Sequence, residues 1–125
     1  MGDHMTVRVV LFNLTAMARE YAELYLPEVS CIHSMIDYAR NLLTIAEKVE
    51  ELRKLDRSSE LSAELREWVF ELLRRPGIHG AFGERFPYEH LSALLRGEEA
   101  PSVQEWELRE FKDHTEWFEK DFGPA

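Results

Sequence analysis

A seam of apolar residues stepping alternately by three and four runs through the long segment from Glu28 to Leu55. Met35, Tyr38, Leu42, Ile45, Val49 and Leu52 fall on it, which is helical spacing held for about two and a half heptads. Ile32, Ile36, Ala39, Leu43 and Ala46 widen the stripe on one side. A stripe this wide suits the central helix of a bundle better than the narrow seam of a two-stranded coiled coil.

The flanking segments repeat the pattern. Val7, Val10, Leu11, Leu14, Met17, Ala18, Tyr21, Leu24 and Tyr25 predict a first helix, stopped by Pro27. Val7, Val9 and Val10 also fit a short strand over 7–12, with Asn13 or Thr15 then capping a shorter helix. Ser58 and Ser59 predict the cap of a third helix ending at Pro76-Gly77. Pro87 opens a fourth that ends near Gly97. Ser102 with Glu105 forms a capping box before a fifth helix running to about Asp121. With short loops and 125 residues, the expected fold is all-α: a single domain over 5–125, an irregular bundle of about five helices. Residues 1–4, Met-Gly-Asp-His ahead of Met5, read as a cloning remnant.

Composition narrows the function classes. Twenty-four acids against 15 bases give a net charge of −9, which repels phosphate backbones and argues against direct nucleic-acid binding. No apolar run approaches the length of a membrane span, and the chain carries no apparent export signal. One cysteine, Cys31, excludes an internal disulfide framework, and a cytoplasmic location is the expectation. Cys31 reads as a packed thiol rather than a reactive one.

The fifth helix carries the best candidate site. Leu108, Phe111, Thr115, Phe118 and Phe122 form a core-facing stripe. Trp106 and Trp117, eleven residues apart, share a face roughly 150° away, with Glu110 and Asp113 between them. Tryptophan anchors interfaces, so Trp106, Glu110, Asp113 and Trp117 are the candidate partner-binding residues. The expected function is macromolecular binding: an inhibitor or regulator covering a basic surface on a protein partner, by the physics that immunity proteins, antitoxins and phage or mobile-element inhibitors use. The same face, or the heptad end from Val49 to Leu55, could also serve a homo-oligomer.

A second candidate is the glycine-spaced loop, with Gly77, His79, Gly80, Phe82, Gly83 and Arg85 as its residues. It matches neither a dinucleotide fingerprint nor a P-loop and reads first as a tight connector. An alternative class is an enzyme, with His79, Arg85 and His90 as working groups. Arginine precedes histidine by five positions at Arg74/His79, Arg85/His90 and Arg109/His114, a spacing comparable to that of helical ribonucleases of the HEPN class. The polar residue usual after that arginine is not consistently present, since Arg75, Phe86 and Glu110 follow. The His33/Asp37 and Glu110/His114 pairs lack the Glu-x-x-His pattern of bundle carboxylate sites, so neither metal nor cofactor is expected.

Overall fold

The computed structural model describes residues 6–83 and 86–123, with the side chains of 107–110 outside that description. Among the described residues the fold is all-α, and no strand is present. The alternative of a strand over 7–12 is replaced by α1 (Val7–Glu20), whose N-cap Thr6 accepts a hydrogen bond from the Val9 amide at 3.3 Å. Thr6 makes only an isolated antiparallel bridge with Glu60.

Every residue of α1 from Val9 to Met17 is buried, and the helices over 32–52, 86–95 and 112–122 pack against it. A helix enclosed on all sides belongs at the centre of a bundle. Between Val9 and Met17 its buried polar residues are Asn13 and Thr15, and each donates to its own backbone. Asn13 donates to the Val9 carbonyl at 2.8 Å and Thr15 to the Leu11 carbonyl at 2.9 Å.

Past Glu20 the helix does not stop. It widens by one turn over Tyr21–Tyr25, where the Leu26 amide donates to the Tyr21 carbonyl five residues back, then closes over Leu26–Glu28. Pro27 supplies the reason, because it has no amide to donate and its ring crowds the carbonyl four residues earlier. A widened turn relieves that crowding and lets the helix continue. Pro27 therefore marks a bulge, and the helix ends one residue beyond it.

α2 (Ile32–Leu52) packs along α1 through Tyr38, Leu42, Ile45, Val49 and Leu52. The residues that widen its stripe do not enter the core: Ile32, Ile36, Ala39, Leu43 and Ala46 are exposed. The expectation that α2 is the central helix is thus corrected, since α1 occupies that place. Cys31 is the exposed N-cap of α2 rather than a packed thiol, and the Ser34 and His33 amides hold its pKa below the usual value.

α3 (Ala63–Leu73) is capped by Ser62, which accepts from the Leu65 amide at 3.1 Å. Ser58 instead closes a turn on Asp56. α4 (Ile78–Phe82) forms inside the glycine-spaced loop, and α5 (Phe86–Leu95) follows with Pro87 in its first turn. The Ser102–Glu105 capping box opens α6 (Val103–Glu110), with reciprocal bonds of 3.2 and 3.3 Å.

The predicted fifth helix is broken. α6 ends before Phe111, which leaves helical angles at φ −137°, ψ 45°, and α7 (Lys112–Phe122) begins afresh. The break lets each piece turn its own aromatics inward. Phe111 packs on Phe86 at 5.0 Å, while Phe118 reaches Phe12 at 5.3 Å. Among the described residues the expected five helices become seven, through this break and the formation of α4.

Candidate binding groove and the residues around it

The break at Phe111 separates the two tryptophans. Trp106 is half-buried against Phe86 and His90, with ring centroids at 5.0 and 6.2 Å. Trp117 stands 38% exposed on α7, stacked on the His114 ring at 5.4 Å. Asp113 is exposed. Glu110 lies on α6, and its side chain falls outside the described residues. The geometric premise of one continuous Trp-and-acid face is therefore absent, and Trp117 with Asp113 is the part that stands at the surface.

What surrounds Trp117 is an open groove of about 390 Å³ between α1, α2 and α7. Its apolar lining comes from Ala18 of α1 and Ala22 of the widened turn that follows it, Leu42, Ala46 and Val49 of α2, and Trp117 with Phe122 of α7. Alanines on two of the three helices keep the floor low, and Trp117 and Phe122, with rings 6.2 Å apart, form one wall. Charged pairs edge it. Arg53 bonds Asp121 at 3.2 Å and approaches Glu50 at 3.9 Å, while Arg19 lies 3.6 Å from Glu23.

Arg19 links this groove to a second cleft of about 420 Å³, which Glu20, Glu23, Lys112, Asp113 and His114 help line. Its guanidinium lies over the Trp117 ring at 5.3 Å and hydrogen-bonds Nδ1 of His114 at 3.2 Å. Arginine can only donate, so His114 Nδ1 accepts and the ring proton sits on Nε2. That proton points at the Phe12 carbonyl (3.2 Å) and Thr15 Oγ1 (3.0 Å). Burial pushes the His114 pKa down to about 4, against the raising effect of the Phe12 carbonyl, and Arg19 lowers it further. His114 is thus neutral near pH 7 with both nitrogens engaged. It orients Arg19, which in turn supports the Trp117 ring.

The glycine-spaced loop is a packed connector. Gly77 adopts φ +86°, and a Cβ there would meet Tyr38 and Asn41 at 3.2 Å. Its carbonyl accepts from the Tyr21 hydroxyl at 2.6 Å, the Ala81 carbonyl accepts from Tyr25 at 2.8 Å, and Asn41 donates to the Pro76 carbonyl at 2.8 Å. Arg75 closes this network on Asn41 Oδ1 at 2.8 Å. Phe82 is fully buried against Tyr21 and Tyr25. A Cβ at Gly83 would fall 2.5 Å from the His79 carbonyl, whereas one at Gly80 would meet open space. His79 is exposed beside Tyr88, while His90 is enclosed 3.1 Å from Asn13. Arg85 lies outside the described residues. The two histidines of the alternative enzyme reading thus stand on opposite sides of the protein surface, one outside and one in the core. His114 pairs with Arg19 across two helices; the side chain of Arg109, five positions before it, is outside the described residues.

Sequence reasoning missed Arg19, Glu23 and the Tyr21–Asn41–Arg75 network. The i,i+4 spacing of Arg19 and Glu23 was the available signal for the first pair. Among the described residues no group of three or more metal-ligating side chains gathers, and no helix is long and apolar enough to cross a membrane. Compared with protein-family models, curated proteins and solved structures, the chain matches none.

Proposed function

We propose that this chain is a protein-binding regulator that works by occlusion, taking an apolar helix with basic flanks from a partner protein into the groove between α1, α2 and α7. One observation carries the reading: Trp117, held by stacking on His114 and by the Arg19 guanidinium, stands half-open beside an apolar floor. A preoriented tryptophan next to an apolar groove is the arrangement that yields an interface hot spot. Groove dimensions of a few hundred Å³ suit two or three side chains from one face of a helix.

Charge selects the flanks of that helix. α7 alone carries Asp113, Glu116, Glu119 and Asp121 against Lys112 and Lys120, within a chain of net charge −9. Such a field speeds the approach of a basic partner and disfavours acidic ones. Covering a basic surface on the partner is then the inhibitory or regulatory act, and it needs no catalytic group, metal or cofactor from this chain.

The test compares wild type with Trp117→Ala in capture from the source cell lysate, at low and at high salt. The expected partner is held by wild type, bound at least about 30-fold more weakly by Trp117→Ala, as for a hot-spot tryptophan, and released progressively by salt. Circular dichroism verifies that the variant folds. A partner held equally by both proteins, or indifferent to salt, overturns the reading.

A further inference from the structure

Among the described residues, four exposed large hydrophobic side chains, Ile32, Met35, Ile36 and Leu43, lie on α2. Ile32, Ile36, Ala39, Leu43 and Ala46 recur there at steps of four and three, forming one continuous stripe. Ile32 and Leu43 are each 61% exposed, Ile36 42%, and Met35 beside them 37%. Surface helices ordinarily carry charge on their outer face. Over positions 32–46 the only formal charges are Asp37 and Arg40, which cancel, although the chain as a whole carries 39 charged residues and a net −9.

We propose that this stripe is a homodimer interface, in which α2 pairs antiparallel with α2 of a second copy about a twofold axis level with residue 41. Self-complementarity carries the choice of occupant. From Ile36 to Ala46 large and small residues alternate along the stripe, and a twofold axis at that level sets Leu43 opposite Ala39 of the second copy and Ile36 opposite its Ala46. Both large-into-small matches arise from one register, as an isologous contact requires. Asn41 itself faces the protein interior and leaves the axis clear.

Electrostatics agrees with that choice. Two copies meeting through the acidic α7 side would bring like charge together, whereas the 32–46 stripe is neutral and lets them approach. The size of the patch sets the strength. Its large side chains, alanines and flanking stems would bury on the order of 1,000 Å² across both copies, the lower edge of specific interfaces. A contact of that size is expected to be reversible, as small interfaces are.

This interface is separate from the proposed partner groove. Ala46 borders both, but Leu43 and Ile36 do not line the groove and Trp117 is not on the stripe. Leu43→Glu should therefore weaken dimerisation at least tenfold and leave the Trp117-dependent partner in place, so the two readings fail independently.

The experiment uses sedimentation equilibrium of the full chain, with pulsed dipolar spectroscopy on a spin label at Cys31, the single and exposed cysteine. The expected result is a reversible dimer, weakened at least tenfold by Leu43→Glu while the variant keeps its helical circular dichroism. Two Cys31 positions twenty residues apart along an antiparallel pair lie about 30 Å from each other, at 1.5 Å per residue. A monomer at several hundred micromolar, a dimer indifferent to Leu43→Glu, or a label separation under about 20 Å, as parallel helices would give, overturns the proposal. Ile36→Lys serves as the second variant should Leu43→Glu not fold.

Discussion

Helices α1 and α2 both show unbroken three-and-four apolar spacing, yet one is enclosed and the other is bare along a whole side. The difference lies in the residues off the stripe. Between Val9 and Met17 of α1 those residues include alanine, asparagine and threonine, and the two polar ones donate back to carbonyls of their own helix. Their donor groups are thereby paired inside the helix and can be buried. In α2 the corresponding positions are His33, Asp37, Arg40 and Glu47, which need water or a charged partner and hold that side of the helix at the surface. Centrality is thus read from what the polar positions can tolerate, and stripe width alone misassigns it.

The largest test of this contrast is at the heart of α1. The Phe12 ring is fully buried and touches the rings of Phe86, His114 and Phe118 at 5.7, 4.7 and 5.3 Å. Phe12→Ala removes the hub that joins α1 to α5 and α7. The expected loss is about 3–5 kcal/mol by urea titration, from transfer and cavity terms together. A loss under about 1 kcal/mol would show that α1 is not the centre.

A smaller effect comes from acid. His114 has a folded pKa of about 4 against an unfolded value near 6.5. Between those values the unfolded chain binds a proton that the native ring refuses, so the native state loses stability as pH falls from 6.5 to 4. The stabilisation is whole above pH 6.5 and gone below 4, a change of about 3 kcal/mol. Stability measured against pH for wild type and His114→Gln should diverge in that window and run parallel above it. Parallel curves throughout would mean that His114 is not buried as a neutral ring.

Much of the helical layout was legible because it depends on local signals. The capping box at Ser102, the apolar spacing of α1, α2 and α3, and the glycine stop at Gly97 all report backbone hydrogen bonding within a few residues. The break at Phe111 was not legible, since no glycine or proline marks it and it is imposed by packing of Phe111 on Phe86. Pro27 gave a signal whose meaning depended on context, because a widened turn could absorb it. At the candidate site, composition and spacing pointed to Trp117 but joined it to Trp106 through a helix that is not continuous. Arg19 and His114 are 95 residues apart and meet only through tertiary packing, which periodicity cannot reveal.

The least perturbing change belongs to the bare side of α2, and it sharpens the contrast within a single residue type. Ile45 is fully buried on the inner face, while Ile32 lies mostly exposed on the outer one, on the same helix. Truncation at Ile45 leaves a cavity, and Ile45→Ala should cost about 2–5 kcal/mol. Ile32→Ala gives up little burial in a single copy and gains helix propensity, so its expected change is within about 0.5 kcal/mol of zero. The measurement is thermal unfolding at submicromolar protein, where association through α2 contributes nothing. Repeating it at several hundred micromolar should show wild type gaining stability with concentration and Leu43→Ala gaining less, because Leu43 meets Ala39 of the second copy only in the paired state. Equal costs at Ile45 and Ile32 in the dilute samples would mean that the outer stripe is already covered within one copy, and the division between an enclosed α1 and a half-bare α2 would fall.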